Sequence, residues 1–208
     1  MAKVNHSYRE KVKTHLLESI KVKQLTIEKC IDSILSAAQL IVDAFTSGGK
    51  VLICGNGGSA ADCQHMATEF VNLLSKDLNR PGLPAISLTT DTSFLTAFSN
   101  DSNFEGVFER QVQALGKPND LLIAISTSGN SKNVIKAVVA AKSKKMRTIA
   151  LTGNGGQLKK ITDVAISIPS TNTQYIQEVH LSIEHSLCEL VEHDLFIEKG
   201  DRKKELWS

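Results

Sequence analysis

Val51-Leu-Ile-Cys-Gly-Asn-Gly-Gly-Ser59, with the helical run that follows it to Phe70, decides how this chain is read. Val51 to Cys54 are apolar and predict a buried strand. Gly55, Gly57 and Gly58 permit positive φ and let another molecule come close to the backbone. Ser59 is a good residue to cap a helix start, and free amides at such a start favour anions or polar ligand oxygens. His65 and Glu69 follow at i and i+4, on one side of the expected helix. That face can supply a general base or a metal ligand. A tight strand-to-helix turn with two solvated side chains would read the same way, so the stretch alone leaves both open.

Working outward, the chain alternates strands and helices. Helical periodicity runs from about residue 7 to 47 and predicts two helices with a break near Thr26. The second is apolar over a wide arc, which fits either packing between a sheet and the first helix or a subunit interface. Gly48-Gly49 ends it. Further strands are expected at Ala85–Thr89, Asp120–Ser126, Met146–Thr152 and Val164–Ile168. Asp91 is placed to cap a helix from Thr92 to Phe98, Asn100-Asp-Ser-Asn reads as a turn, and Phe104–Leu115 and Lys132–Ser143 read as helices. A last helix begins near Thr173 and passes Leu190. Such alternation predicts a parallel sheet covered on both faces, with ligands at the carboxyl ends of the strands where strand order reverses. One domain is expected: a helical extension at about 7–47, a sheet core at about 50–195 and a loose, charged tail at about 197–208.

Composition narrows the function classes. A net charge of +2 over 208 residues gives no argument for direct nucleic-acid binding or an acidic membrane surface. No apolar run approaches the roughly 20 residues of a membrane helix. The cysteines, Cys30, Cys54, Cys63 and Cys188, form no Cys-x-x-Cys pair, so they read as buried thiols of a reducing, cytoplasmic compartment.

Two more stretches carry chemistry. Ser126-Thr-Ser-Gly-Asn-Ser131 sets four hydroxyls and a glycine at a helix start. That suits a phosphate monoester, held by hydroxyls, amides and the helix dipole. A hydroxyl-rich helix cap would look alike, and no P-loop lysine follows. The last helix holds Gln177, Glu178, His180, Glu184 and His185. At about 100° per residue, Glu184 lies almost directly above Gln177, and His185 about 80° round from it. His180 falls on the other side and is expected to be a surface residue. His65 with Glu69, and Gln177 with His185, would make a four-ligand N/O site suited to zinc, provided the two helices meet, within or across subunits.

Together, Cys-Gly-Asn-Gly-Gly-Ser, Asp62, His65 and Glu69, Ile-Ser-Thr-Ser-Gly-Asn-Ser, and Ile-Gln-Glu-Val-His with a second histidine five residues on closely resemble the phosphoheptose isomerase family of sugar isomerase (SIS) domain proteins. The likeness spans about Asp32 to Leu195. It implies a three-layer αβα sandwich on a five-stranded parallel, flavodoxin-like sheet, preceded by N-terminal helices. It further implies a homotetramer with sites between subunits, and conversion of sedoheptulose 7-phosphate to D-glycero-D-manno-heptose 7-phosphate through an enediol, the first step towards bacterial ADP- or GDP-heptose. By resemblance Asn56, Gly57, Gly58, Asn100 and Asp101 meet the sugar, and Ser126, Thr127, Ser128 and Ser131 hold the phosphate. His65, Glu69, Gln177 and His185 bind zinc, one ion per subunit, in members that contain it. Glu69 and His185 are also the acid–base pair, and Glu69 and Gln177 contact substrate. An isomerase of another phosphosugar is an alternative. So is a tetrameric adaptor that binds the replication initiator protein, although the adaptors lack a glutamate at the position of Glu69 and differ at that of Gly58.

Overall fold

A computed structural model describes residues 6–76 and 78–198. The expected tail therefore lies largely outside the described residues.

The N-terminal segment is one helix, α1 (His6–Thr46), not two. Nothing in it breaks a helix: the segment has neither glycine nor proline. Thr26, where the break was expected, turns its hydroxyl back onto the Val22 carbonyl at 2.8 Å and stays within the helix. Ser19, Val22, Thr26, Cys30, Ala37, Ile41 and Phe45 form its buried stripe. As expected, the chain leaves α1 through Gly48, at φ +72°.

The sheet is fully parallel in the order β2-β1-β3-β4-β5: β1 (Val51–Gly55), β2 (Ala85–Ser87), β3 (Leu121–Ser126), β4 (Arg147–Thr152) and β5 (Val164–Ser167). Between them run α2 (Gly58–Val71), α3 (Thr92–Asp101), a short 3-10 turn and α4 (Val107–Leu115), α5 (Lys132–Ser143) and the single turn α6 (Leu158–Ile161). The last helix, α7 (Thr173–Glu192), runs on into a π-helical turn, His193–Glu198. Asp91 caps α3, accepting from the Phe94 amide at 2.9 Å. The turn expected at Asn100-Asp-Ser-Asn begins later, because α3 holds its helical bonds through Asp101. Sequence patterning did not separate α6 from the turn before it.

Alternate residues of each strand fill two cores, as a doubly covered sheet requires. Val51, Ile53, Ile123, Ile149 and Ile166 pack with α1, α2 and α7. Leu52, Cys54, Leu122, Ala124 and Ala150 pack with α4 and α5. Strand order reverses between β1 and β3, where Gly55 lies opposite Ile125. The glycine turn after β1 and the hydroxyl-rich turn after β3 are thus neighbours at the switch point.

Two polar clamps hold α7 and α2. His15 (2.7 Å) and the Ser19 hydroxyl, both on α1, bond the Glu178 carboxylate of α7. The Ser19 bond, with the His15 contacts, holds that carboxyl below its ordinary range. Arg80 is buried against Glu192, with Nε at 2.8 Å from Oε1. Its guanidinium also donates to the Phe70 carbonyl at 2.9 Å and the Glu69 carbonyl at 2.7 Å, capping the end of α2. Replacing Arg80 with Met removes the guanidinium and leaves the buried Glu192 carboxyl with the Leu74 amide, at 3.1 Å, in place of an ion pair. The expected loss is about 3–5 kcal/mol, read from urea unfolding; a loss under about 1 kcal/mol would show that the clamp is dispensable.

Candidate functional site

The glycine turn differs from its expected form in one respect. Gly57, at φ +57°, is the N-cap of α2, and Ser59 lies inside the helix, buried. The cap needs the left-handed backbone that glycine adopts without strain, so no side chain caps this end. At Gly58 α7 comes close: a Cβ there would lie 2.4 Å from Gln177 Nε2. Any side chain at 58 displaces Gln177.

Further along the same two helices, His65 and His185 meet. Their Nε2 atoms are 2.8 Å apart, and the rings pack edge to face at 5.0 Å. Glu69 joins them, with Oε1 3.6 Å from His65 Nε2. One ligand atom from each of the three lies within 4.8 Å of the others. Two imidazole nitrogens and a carboxylate oxygen are zinc donors, and around a tetrahedral ion such atoms stand about 3.3 Å apart. The observed 2.8 and 3.6 Å bracket that spacing, so the residues fit the ion with small side-chain shifts. Of the four expected ligands the structure thus groups three. It places Gln177 at the glycine turn, two helical turns or about 12 Å of rise from His185.

The turn after β3 is built as a cup. Ser126 Oγ lies 2.9 Å from Ser131 Oγ and 3.4 Å from Ser128 Oγ. Gly129, at φ +65°, closes it, and a Cβ there would lie 2.4 Å from the Gly155 carbonyl oxygen. Ser131 caps α5 without spending its hydroxyl on the helix. Hydroxyls facing one another at a helix start can rotate to donate to an anion. Thr127 is half-buried beside them, its carbonyl accepting from the Gly153 amide at 2.9 Å. Asn100 and Asp101 bond each other rather than these groups. They are exposed at the end of α3, where Asn100 Nδ2 donates to Asp101 Oδ1 at 2.9 Å.

Beneath the site lie residues whose burial the sequence did not reveal. His180, expected at the surface, is fully buried, with Nε2 3.3 Å from the Thr152 carbonyl. Burial holds its imidazole down at about 4, so it is neutral. Glu184 is fully buried as well, and neither carboxylate oxygen has a partner among the described residues. Burial, with the charge of Asp62, pushes it up to about 9. Burial likewise raises Asp62, to about 6, against the pull of His65. Cys63 and Cys188 share this region, their thiols pushed far up chiefly by burial.

Comparisons with known proteins agree on one family. The family model for the SIS domain matches residues 14–153. A protein named phosphoheptose isomerase from Roseiflexus sp. strain RS-1 is 53% identical over 181 residues, 86% of this chain and 91% of the relative. Two solved phosphoheptose isomerase structures superpose over 89% of this chain and 98% of theirs. That from Neisseria gonorrhoeae has a TM-score of 0.84 at 43% identity, and that from Francisella tularensis 0.85 at 38%.

Glu184 makes a stability prediction. Its folded value of about 9 lies above the ordinary 4.5. The native state therefore keeps a proton that the unfolded chain releases, and this group's contribution to stability is lost as pH rises across that interval. Glu184→Gln, neutral throughout, should gain in melting temperature over the wild type as pH rises from 5 to 9. A difference that does not change with pH would show that Glu184 is ionised in the fold.

Proposed function

The chain belongs to the phosphoheptose isomerase family of SIS-domain proteins, and from that membership we propose that it converts sedoheptulose 7-phosphate to D-glycero-D-manno-heptose 7-phosphate by proton transfer through an enediol. The observation that carries this reading is the meeting of the Glu69 carboxylate with the His185 imidazole on two helices that leave opposite ends of the sheet sequence.

In this reading the Ser126–Ser131 cup holds the phosphate with its hydroxyls and the free amides at the start of α5. Asn56, Gly57 and Gly58 line the sugar, Gly57 offering backbone with open space beside it. Asn100 and Asp101 reach the substrate from the end of α3, and Gln177 from its place against Gly58. Glu69 takes the proton from C1 and returns it at C2. His185 moves the proton between the two oxygens, the work for which imidazole suits neutral pH. His65, Glu69 and His185 are the residues of one chain that would hold zinc, which when bound would supply positive charge against the developing enediolate; Gln177, the fourth expected ligand, stands too far along α7 to join them within the chain.

Along α2, His65 and Glu69 lie about 10 and 16 Å of helical rise from Gly58. The acid–base cluster and the phosphate cup of one chain are therefore offset, which favours sites completed between subunits of a homotetramer. The surface fits such an assembly. Tyr8, Val12, Leu16, Ile20, Ile27, Ile31 and Leu35 of α1 form a stripe at helical spacing, each about half exposed or more. These side chains are already about half covered, so burying the rest of each leucine or isoleucine there is worth about half the value of full burial, roughly 1 kcal/mol. The adaptor alternative gains nothing from this site, whose cluster includes Glu69. A cytoplasmic location accords with four free, buried cysteines. Among the described residues no helix is long and apolar enough to cross a membrane.

The test of substrate is to offer several ketose phosphates to the purified protein and identify the aldose by NMR, with and without a chelator. Sedoheptulose 7-phosphate should be the preferred ketose; preference for a shorter one would reassign the enzyme. Glu69→Gln should lower kcat by about 10²–10⁴-fold while calorimetry shows phosphosugar binding within about threefold of wild type. Wild-type turnover in that variant would remove Glu69 from the mechanism. Leu16→Glu combined with Ile20→Glu should reduce the mass seen by light scattering; an unchanged mass would place the subunit contacts elsewhere.

A further inference from the structure

Asn56 follows the last residue of β1, and Asn133 lies in the first turn of α5, beyond the cup after β3. Their side chains bond each other twice. Asn56 Nδ2 donates to Asn133 Oδ1 at 2.9 Å, and Asn133 Nδ2 donates to Asn56 Oδ1 at 2.8 Å. Asn133 is buried and Asn56 half-buried. A reciprocal amide pair is satisfied equally well if both amides flip, so the two bonds alone do not fix which way either points. A third contact decides: the Val134 amide donates to Asn133 Oδ1 at 3.0 Å. An amide nitrogen in that place would face another N–H, so Asn133 has one orientation, and through the pair so has Asn56. Each partner's capacity is two N–H donors and two acceptor sites, which leaves Asn56 one donor and one acceptor for a ligand, both with set directions.

The turn that carries Asn56 is tied to α2 by the Ala60 and Ala61 amides, which donate to the Gly57 carbonyl at 3.0 and 3.3 Å, bonds that do not reach the cup. Gly57 and Gly58 have no side chains, and the helix end is uncapped by any side chain. Glycine-rich backbone loses the most freedom on ordering. The cup, by contrast, is tied by its own serines and by backbone bonds to the turn after β4, Gly153 to Thr127 and Leu158 to Gly129. The amide pair thus fastens the glycine turn to the cup across the strand-order reversal.

We propose that Asn133 is a positioning residue for the isomerisation: through Asn56 it fixes the sugar-facing turn relative to the phosphate cup, so that both ends of a ketose phosphate are held at one separation. The inference rests on the isomerase reading above. Misplacing a reacting group costs rate far more than it costs binding, and the phosphate's own partners are untouched by the change.

The experiment is steady-state kinetics with sedoheptulose 7-phosphate on Asn133→Ala, made in the wild type and in an Asn56→Ala background. In the wild type the substitution should lower kcat about tenfold with KM within threefold; in the Asn56→Ala background it should change kcat less than twofold, because the residue it acts through is gone. Wild-type kcat in Asn133→Ala, or the same tenfold loss in both backgrounds, overturns the proposal, the second outcome marking a merely structural role. Asn133→Asp guards against a failure to fold. It still accepts from the Val134 amide, and a carboxylate suits a helix start, but it cannot donate to Asn56 Oδ1. Its added charge raises KM for a phosphorylated substrate, so kcat alone is read: a tenfold fall is expected, and an unchanged kcat overturns the proposal. A wild type that turns over none of the ketose phosphates would remove the isomerase reading, and this inference with it. A wild type that works alongside an unaffected Asn133→Ala removes only the inference.

Discussion

The structure depends on the close approach of α2 and α7. They meet at Gly58, where the missing Cβ leaves room for Gln177, and again where His65 Nε2 stands 2.8 Å from His185 Nε2. The chain separation across that second contact is 120 residues. Neither helix could assemble the cluster alone: α2 contributes an imidazole and a carboxylate at i and i+4, and α7 the second imidazole. The sheet sets where α2 begins, α1 holds α7 through Glu178, and Arg80 ties the far end of α2 to Glu192. Local helix geometry and long-range clamps together place three reactive groups within 4.8 Å.

The interior under that contact is unusually polar for its depth. Glu184, His180 and one oxygen of Asp62 are buried without the full set of partners. Burying such groups costs stability unless they stay neutral. The protein meets this cost by keeping His180 without its proton and Glu184 with it, opposite responses to the same low-dielectric setting. Arg80 and Glu192 follow the other route, pairing as ions with the remaining guanidinium donors spent on carbonyls. The stability of this region therefore varies with pH through groups that take no part in the proposed chemistry.

Much of the architecture was legible in the sequence because buried parallel strands leave uninterrupted apolar runs. Leu121–Ser126 and Val51–Gly55 stand out for that reason, and the switch-point position of both turns followed from the alternation of strands and helices. Where the reading departed from the structure, a local signal met a tertiary one. Thr26 looked like a break because its hydroxyl competes for backbone, yet here it bonds within the helix. Ser59 looked like the cap because serine usually is one, but Gly57 takes the positive φ that the turn demands. His180 looked solvated, and the burial of Glu184 left no sign, because sequence spacing gives a residue's angle round a helix without saying how much of the helix is covered. Asn133 left no sign at all. Its partner lies 77 residues away, and only the adjacency of β1 and β3 brings them together. For the site, the identity of His65, Glu69 and His185 was readable from spacing and resemblance, whereas their meeting was a property of helix packing.

The central claim is that a carboxylate at Glu69 carries a carbon-bound proton between neighbouring atoms of a phosphosugar. The most direct measurement is proton NMR of the aldose phosphate formed from sedoheptulose 7-phosphate in D2O. The account predicts deuterium at C2 of the product, because a proton held by a side-chain carboxylate exchanges with solvent before it is returned. Aldose carrying only protium at C2, with wild-type turnover in Glu69→Gln, would contradict it, since a hydrogen that neither exchanges nor needs the carboxylate has moved by a direct hydride shift.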